Sequence, residues 1–343
     1  MATIRTVAQR AGVSIKTVSR VMNEPATVAE STRRRVTEAA DALNFVPDQR
    51  ARAMRSGRSG VVGFLTDLIA TTPYSVDIVR GVEDGFAAHG ISVLIGNTDN
   101  RPGGLPTILR SFRASRVEGV VFAAMYHRQA DDFGKVHVGH SVLVNCFSSV
   151  AGIPTVLPDE EGGGYLVGAH LLGLGHTRVG YLTLWPGVEA TRLRRAGLAR
   201  AFAEAGVAFP EDLIVAGQTH AVHFNQAEAF EASRGLLSRP DRPTAVFCGN
   251  DEMALQIYNA AASLGLAIPT DLSVVGYDDY RLFSEGLRPA LTTVALPYQS
   301  MGRIAADLLF QHITGNIAEG EVIRVQGPLV VRNSTARPSA PKS

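Results

Sequence analysis

Ile4, Val7 and Ala8 recur at the three- and four-residue spacing of one helical face, and the run Ala11-Gly12-Val13 interrupts it. Gly12 is the residue type that a tight inter-helix turn requires, because it enters positive φ without a Cβ clash. Ser14 predicts the N-cap of a second helix over 15–22. Val18 and Val21 form the apolar face of that helix, which leaves Lys16, Thr17, Ser19 and Arg20 facing outward. A third helix is expected over about 30–44, burying Val36, Ala39, Ala40 and Leu43 and exposing Arg33, Arg34 and Arg35. Pro47 ends this compact part.

Past Gly60 the pattern changes to apolar strands alternating with amphipathic helices. VVGFLT (61–66) precedes a helix at 74–89, and ISVLIGNT (91–98) precedes one at 105–115; VEGVVFAA and SVLVNCF follow. A second cycle begins at RVGYLTL (178–184), with helices at 191–205, 226–238, 251–264 and 298–313 around TAVFCGND and LSVVGYDD. Near-continuous β-rich runs flanked by helices predict parallel sheets covered on both faces. The fold class is therefore α/β: a helix-turn-helix headpiece followed by two doubly wound parallel-sheet subdomains.

Charge separates the same two regions. Residues 1–60 hold 11 Lys+Arg against 5 Asp+Glu, whereas the rest of the 343-residue chain holds 22 against 27. A basic head on a mildly acidic body points to a polyanion at one end and a different partner at the other. The body, in a chain that is 45% hydrophobic, has ample material for large cores. No run approaches the ~20 apolar residues of a membrane span, and the opening MATIRTVAQR lacks the apolar stretch of a signal peptide, so a cytoplasmic protein with no membrane partner is expected. Cys146 and Cys248 sit in apolar strand-like runs and are expected as buried thiols.

Several segments, in order, resemble the LacI/GalR family of bacterial transcription repressors over about residues 3–332. They are VAQRAGVSIKTVSRVMN, TRRRVTEAADALNFVPD, RGVEDGFAAHGISVLIGNTD, LLGLGHTRVGYL, FCGNDEMAL, IPTDLSVVGYDD and PALTTVALP. The resemblance implies a helix-turn-helix domain (1–46), a hinge helix (47–59) and an effector-binding and dimerisation core (60–343) resembling periplasmic sugar-binding proteins. It also implies an inter-subdomain boundary near 158–164, return crossings near 292–297, and a homodimer on a pseudo-palindromic operator. The C-terminal VVRNSTARPSAPKS shows no heptads, so a dimer without a helical tetramerisation tail is expected.

In a helix-turn-helix the second helix enters the major groove of double-stranded DNA. Ile15, Lys16 and Arg20 are then the base readers, with Thr17 and Ser19 near phosphate or base. Lys16 and Arg20 can donate to guanine, whereas Ile15 makes only apolar contact. Thr3, Ser14 and Asn23 complete the headpiece candidates. Residues 48–58 carry only Ala51 and Met54 as apolar positions at helical spacing, too little for an isolated helix. The resemblance implies that this hinge folds on DNA, with Met54 standing where the family has a leucine wedge and Ala51 and Arg55 beside it.

Ligands of doubly wound sheets bind beyond the strand carboxyl ends. Asn145, Asn250 and Asp278 fall there, although Asn250 and Asp251 could equally cap the next helix. The resemblance adds Arg194, matching an arginine that points into the cleft, and Tyr74, matching an aromatic of the first effector loop. Trp185 could stack on a ligand or pack at the hinge, and Asp77 and Asp67 are further polar candidates. The family's cleft aromatic after IVAG is either absent, with Thr219 in its place, or displaced to Phe224. These residue types suit a small polar effector, a carbohydrate or a nucleoside, with a sugar or sugar derivative expected above all.

No catalytic signature is present. The run Gly162-Gly163-Gly164 and GLGH do not form a G-x-G-x-x-G turn after a strand, and no P-loop, H-E-x-x-H or G-x-S-x-G occurs. His137 and His140 fall in an expected loop without a partner acid. His220 and His223 lack a third ligand nearby, so neither metal nor cofactor is expected. The competing classes are a transport solute-binding protein, opposed by the basic head, and a sugar-modifying enzyme, opposed by the missing catalytic groups.

Overall fold

The computed structural model describes residues 2–45, 58–71, 75–134, 139–219, 225–315 and 320–339 of the chain. It divides into two compact units, Met1–Gly60 and Val61–Ser343.

The first unit holds α1 (Ile4–Ala11), α2 (Ile15–Asn23) and α3 (Glu30–Ala42). Thr3 and Thr6 form a reciprocal capping box at the start of α1. Gly12 leaves α1 at φ 63, the left-handed region, and turns the chain into α2. Ser14 Oγ accepts from the Thr17 amide at 3.0 Å, the expected N-cap. Val7, Val18 and Val36, one from each helix, are fully buried together and make a core without charged members. The third helix stops two residues short of its expected end: Leu43 closes it, and Asn44 turns at φ 46.

The described residues of the second unit form two six-stranded sheets. The first comprises β1 (Val61–Thr66), β2 (Ser92–Asn97), β3 (Gly119–Gln129), β4 (His140–Phe147), β5 (Thr155–Pro158) and β11 (Val322–Val325), in the order β11-β5-β4-β3-β1-β2. The second comprises β6 (Val179–Thr183), β7 (Ile214–Ala216), β8 (Ala245–Cys248), β9 (Ser273–Asp278), β10 (Thr292–Ala295) and β12 (Leu329–Val330), in the order β12-β10-β9-β8-β6-β7. Each is a 2-1-3-4-5 doubly wound sheet with one added edge strand. All ladders are parallel except β10 with β12. The chain passes from one sheet to the other after Pro158, after Ala295 and again after Val325. The third passage was not anticipated, because β11 and β12, four and two residues long, are too short to show a strand periodicity. Cys146 and Cys248 are buried free thiols, and no described helix is long and apolar enough to cross a membrane.

Glycines set the helix packing around these sheets. α7 (Glu160–Gly173) lies against α8 (Glu189–Glu204). A Cβ at Gly164 would overlap the Arg194 carbonyl, and one at Gly197 the Glu161 carbonyl. α4 (Val76–Ala87) and α12 (Tyr298–Thr314) meet in the same way through Gly81 and Gly302. The glycine run 162–164 therefore lies within a helix, with Gly164 at the helix contact and Gly163 against Tyr277, and is not a phosphate loop. Gly197→Ala is expected to lower stability by roughly 1–3 kcal/mol through overpacking, visible as a lower urea midpoint. Gly173→Ala, whose Cβ would meet nothing within 4 Å, is the control that should leave the midpoint unchanged or raise it.

Candidate functional site

Two surfaces carry chemistry. On the first unit, Ile15 (43% exposed), Lys16 and Arg20 project from α2 on the side away from Val18 and Val21. Ser14 and Thr17 pair hydroxyl to hydroxyl at 2.8 Å, so both side chains are engaged in the cap. Two of the three α3 arginines have acidic neighbours, Arg33 with Glu30 and Arg34 with Glu38. Arg35 reaches back to the Gly12 carbonyl at 3.5 Å. Lys16 and Arg20 on α2, like Arg5 and Arg10 on α1, have no acidic partner among the described residues.

In the second unit the strand carboxyl ends of both sheets line a narrow cleft, the place where ligands of doubly wound sheets bind. From the first sheet come Met125, Tyr126, His127 and Asn145, and from the second Leu184, Asn250 and Asp278. Glu160 lines it from the crossover after β5 and Arg194 from α8.

The first sheet's contribution rests on an irregularity. Between Ala123 and Arg128 the register of β3 against β4 slips, Ala123 facing Val144 and Arg128 facing Cys146. The extra residues bulge into the cavity and carry Met125, Tyr126 and His127. Asp67 holds the bulge: Oδ1 accepts from the Met125 amide at 2.9 Å, and Oδ2 pairs with Arg128 at 2.9 Å. Asn145, at φ 54, donates its amide to the Ala124 and Met125 carbonyls at 3.0 and 3.1 Å. Tyr126 packs against the cores of both sheets.

On the opposite side, Arg194 is 3% exposed and forms a bidentate pair with Glu160, Nε to Oε2 at 2.7 Å and Nη2 to Oε1 at 3.1 Å. Its Nη1 donates to the Gly249 carbonyl, and its guanidinium stacks 3.5 Å over the Tyr277 ring. Asn250 caps α10 (Asp251–Ser263), its Oδ1 accepting from the Met253 amide at 2.8 Å, which leaves its amide nitrogen for the cavity. Asp278 ends β9 at φ 107, a strained position for a non-glycine residue. Burial, reinforced by Glu160 and Glu252 and opposed by Arg194, pushes its carboxyl up to about 7. No donor among the described residues is hydrogen-bonded to that carboxylate.

The chain matches the family described as bacterial regulatory proteins, lacI family, over residues 3–48, and a periplasmic binding protein-like domain over 169–335. It is 34% identical to the HTH-type transcriptional repressor PurR of Mannheimia succiniciproducens, over 98% of this chain and 99% of that one. The chain belongs to the lacI family. This lacI-family protein is similar in structure to the lac repressor dimer bound to operator and the anti-inducer ONPF, with TM-score 0.74, 26% identity and coverage of 98% and 99%. It is also similar to the transcriptional regulator CelR in complex with cellobiose, with TM-score 0.67, 27% identity and coverage of 97% and 100%. It is accordingly a DNA-binding transcriptional repressor and not an enzyme.

Within this lacI-family repressor the expected cleft residues have different surroundings. Asn145, Arg194, Asn250 and Asp278 converge on the cavity. Arg194, expected as a ligand contact, is first a partner of Glu160, and Asn145 first a brace for the bulge. Asp251 does not cap: it is 1% exposed, accepts from the Tyr280 amide and the Thr293 hydroxyl, and ties α10 to the ends of β9 and β10. Trp185 is not in the cavity lining; its ring folds over Gly187 and packs on the second sheet's core. Asp77 sits on the first turn of α4, 3.0 Å from Arg80 and half exposed, and does not line the cavity either. His140 opens β4 rather than lying in a loop, its ring beside His312. Thr219 is exposed. Tyr74, His137, His220, His223, Phe224, Ala51, Met54 and Arg55 lie outside the described residues, as does the side chain of Asn23. Sequence reasoning missed Tyr126, His127 and Glu160; the acid at Glu160, the first residue of a helix beginning at a subdomain crossing, was the available signal.

Proposed function

We propose that this repressor binds a pseudo-palindromic operator as a homodimer in the cytoplasm and that the cleft of its core binds a small polyhydroxylated effector of the carbohydrate class. The observation that carries the effector reading is the Asp278 carboxylate, placed at a strand end in a small cavity with no hydrogen-bond donor from the described protein residues. A ligand that fills the cavity must supply those donors, and adjacent hydroxyls do so in pairs. The amide nitrogen of Asn250 supports the reading as a complementary donor, and Tyr126 and Tyr298 supply aromatic surface in the lining. The similarity to CelR in complex with cellobiose and to the lac repressor in complex with ONPF supports an effector-controlled repressor. The effector regulates by binding one closure state of the two sheets better than the other.

On DNA, Lys16 and Arg20 act as donors to base edges. Lys16→Ala and Arg20→Ala are each expected to weaken operator binding by roughly 1–3 kcal/mol. Gel shifts of genomic fragments at two salt concentrations test this. Wild type should form specific complexes whose affinity falls steeply with salt. Loss confined to specific fragments supports base contact; uniform weakening across all sequences would reassign both residues to phosphate, and the absence of any specific complex would reject operator binding.

A further inference from the structure

His127 lies in the β3 bulge and is 4% exposed, yet its Nδ1 has no hydrogen-bond partner among the described residues. A buried polar atom without a partner costs stability, so its presence calls for a use. The nearest acid, Glu160, has Oε1 at 3.9 Å from Nδ1, beyond hydrogen-bond reach, and both Glu160 oxygens already accept from Arg194. Burial also holds the imidazole below its ordinary pKa, so the ring is neutral near pH 7 and one nitrogen is an acceptor. Phe147 meets the ring edge-on at 6.0 Å, fixing its plane without offering a polar group. His127 borders both the cleft and a neighbouring cavity, and its Nδ1 lies on the side of Glu160, which lines the cleft.

We propose that His127 is a specificity-determining contact of the effector, its Nδ1 accepting a hydrogen bond from a hydroxyl or N–H of a molecule that also donates to Asp278. This rests on the effector reading above and narrows it. His127 belongs to the first sheet and Asp278 to the second, so the molecule that satisfies both carries donors on two opposed edges and links the sheets through itself. Such a bridge gives the ligand a differential affinity for the closed arrangement, which is the physical requirement for control. A molecule with donors along one edge only would satisfy Asp278 and leave Nδ1 unpaired, and is discriminated against.

The test uses the full chain as wild type, His127→Leu and His127→Gln. Each is melted alone and with cellobiose, glucose, galactose, ribose, adenosine and guanosine. Without ligand, His127→Leu should melt at or above the wild-type temperature, because it removes an unpaired polar atom. The compound that stabilises wild type should bind His127→Leu about tenfold or more weakly, the loss of one buried hydrogen bond, and His127→Gln should recover part of that affinity. Side-chain ¹⁵N spectra of histidine-labelled wild type should show a neutral ring whose Nδ1 resonance moves on saturation. The proposal is overturned if that resonance already reports a hydrogen bond in the free protein, or if His127→Leu keeps wild-type affinity. If none of the compounds stabilises wild type, the carbohydrate-class reading fails, while the free-state melts and spectra still decide whether Nδ1 is unpaired.

Discussion

Replacing Arg194 with alanine should destabilise the core by about 3–5 kcal/mol, because Glu160 would be left buried without its counter-charge. Both side chains are almost fully enclosed, at 3% and 2% exposure. The Gly249 carbonyl and the Tyr277 ring face would lose their partner in the same step. The paired change Arg194→Met with Glu160→Leu should recover most of the loss, since a matched apolar pair has no ionic desolvation cost to offset. Urea unfolding of the isolated single and double variants decides this. A single variant as stable as wild type would show that the pair contributes nothing to the fold and would return Arg194 to the role of ligand contact alone. The consequence for binding studies is direct: lost effector response in Arg194→Ala reports a weakened scaffold unless folding is measured alongside.

Asp278→Asn should have the opposite effect on stability. The wild-type carboxyl titrates at about 7 in the fold and near 3.9 unfolded. The folded value is raised, so the ionised form carries a cost that is absent below about pH 4, grows as pH rises through 7 and is complete above it. At pH 8 the asparagine variant is expected to melt roughly 4 °C or more above wild type, taking about 2 kcal/mol as the part that survives solvent screening of a partly accessible group. At pH 4 the two should melt together. Effector affinity follows the other sign: hydroxyls donate to the ionised form, so wild-type affinity should fall about tenfold from pH 8 to pH 6, and Asp278→Asn should bind weakly at both. Equal melting temperatures at pH 8, or pH-independent effector binding, would remove Asp278 from the role given it here. Together the two variants separate a residue that holds the cleft from one that uses it.

The headpiece was legible because its determinants are local. Gly12, Ser14 and the valines at 18 and 21 act within a few residues of one another, and period 3.6 is written directly into the order of side chains. The two doubly wound sheets were legible for the same reason, as apolar runs between amphipathic ones. The bulge that builds the first sheet's side of the cleft was not. Its anchors, Asp67 and Asn145, stand 58 and 20 residues from Met125, and their carboxylate and amide look like ordinary polar loop groups until the strands are paired. Trp185 illustrates the converse: a lone tryptophan in a strand-end loop suits a stacking role, but the adjacent Gly187 lets it fold back on the core.

By itself, then, the order of residues determined the α/β class, the separation of a cationic helical head from a two-sheet body, and the strand ends at which Asn250 and Asp278 would face a ligand. These follow from short-range periodicity and from the rule that parallel strands open their carboxyl ends to a crevice. Only the tertiary structure decided that Arg194 belongs to Glu160, that Asn145 and Asp67 brace a bulge, and that His127 and Asp278 oppose each other across the cleft. Those are pairings between distant segments, fixed by which backbones can approach closely enough, and Gly164 and Gly197 permit that approach for reasons that a linear pattern does not carry.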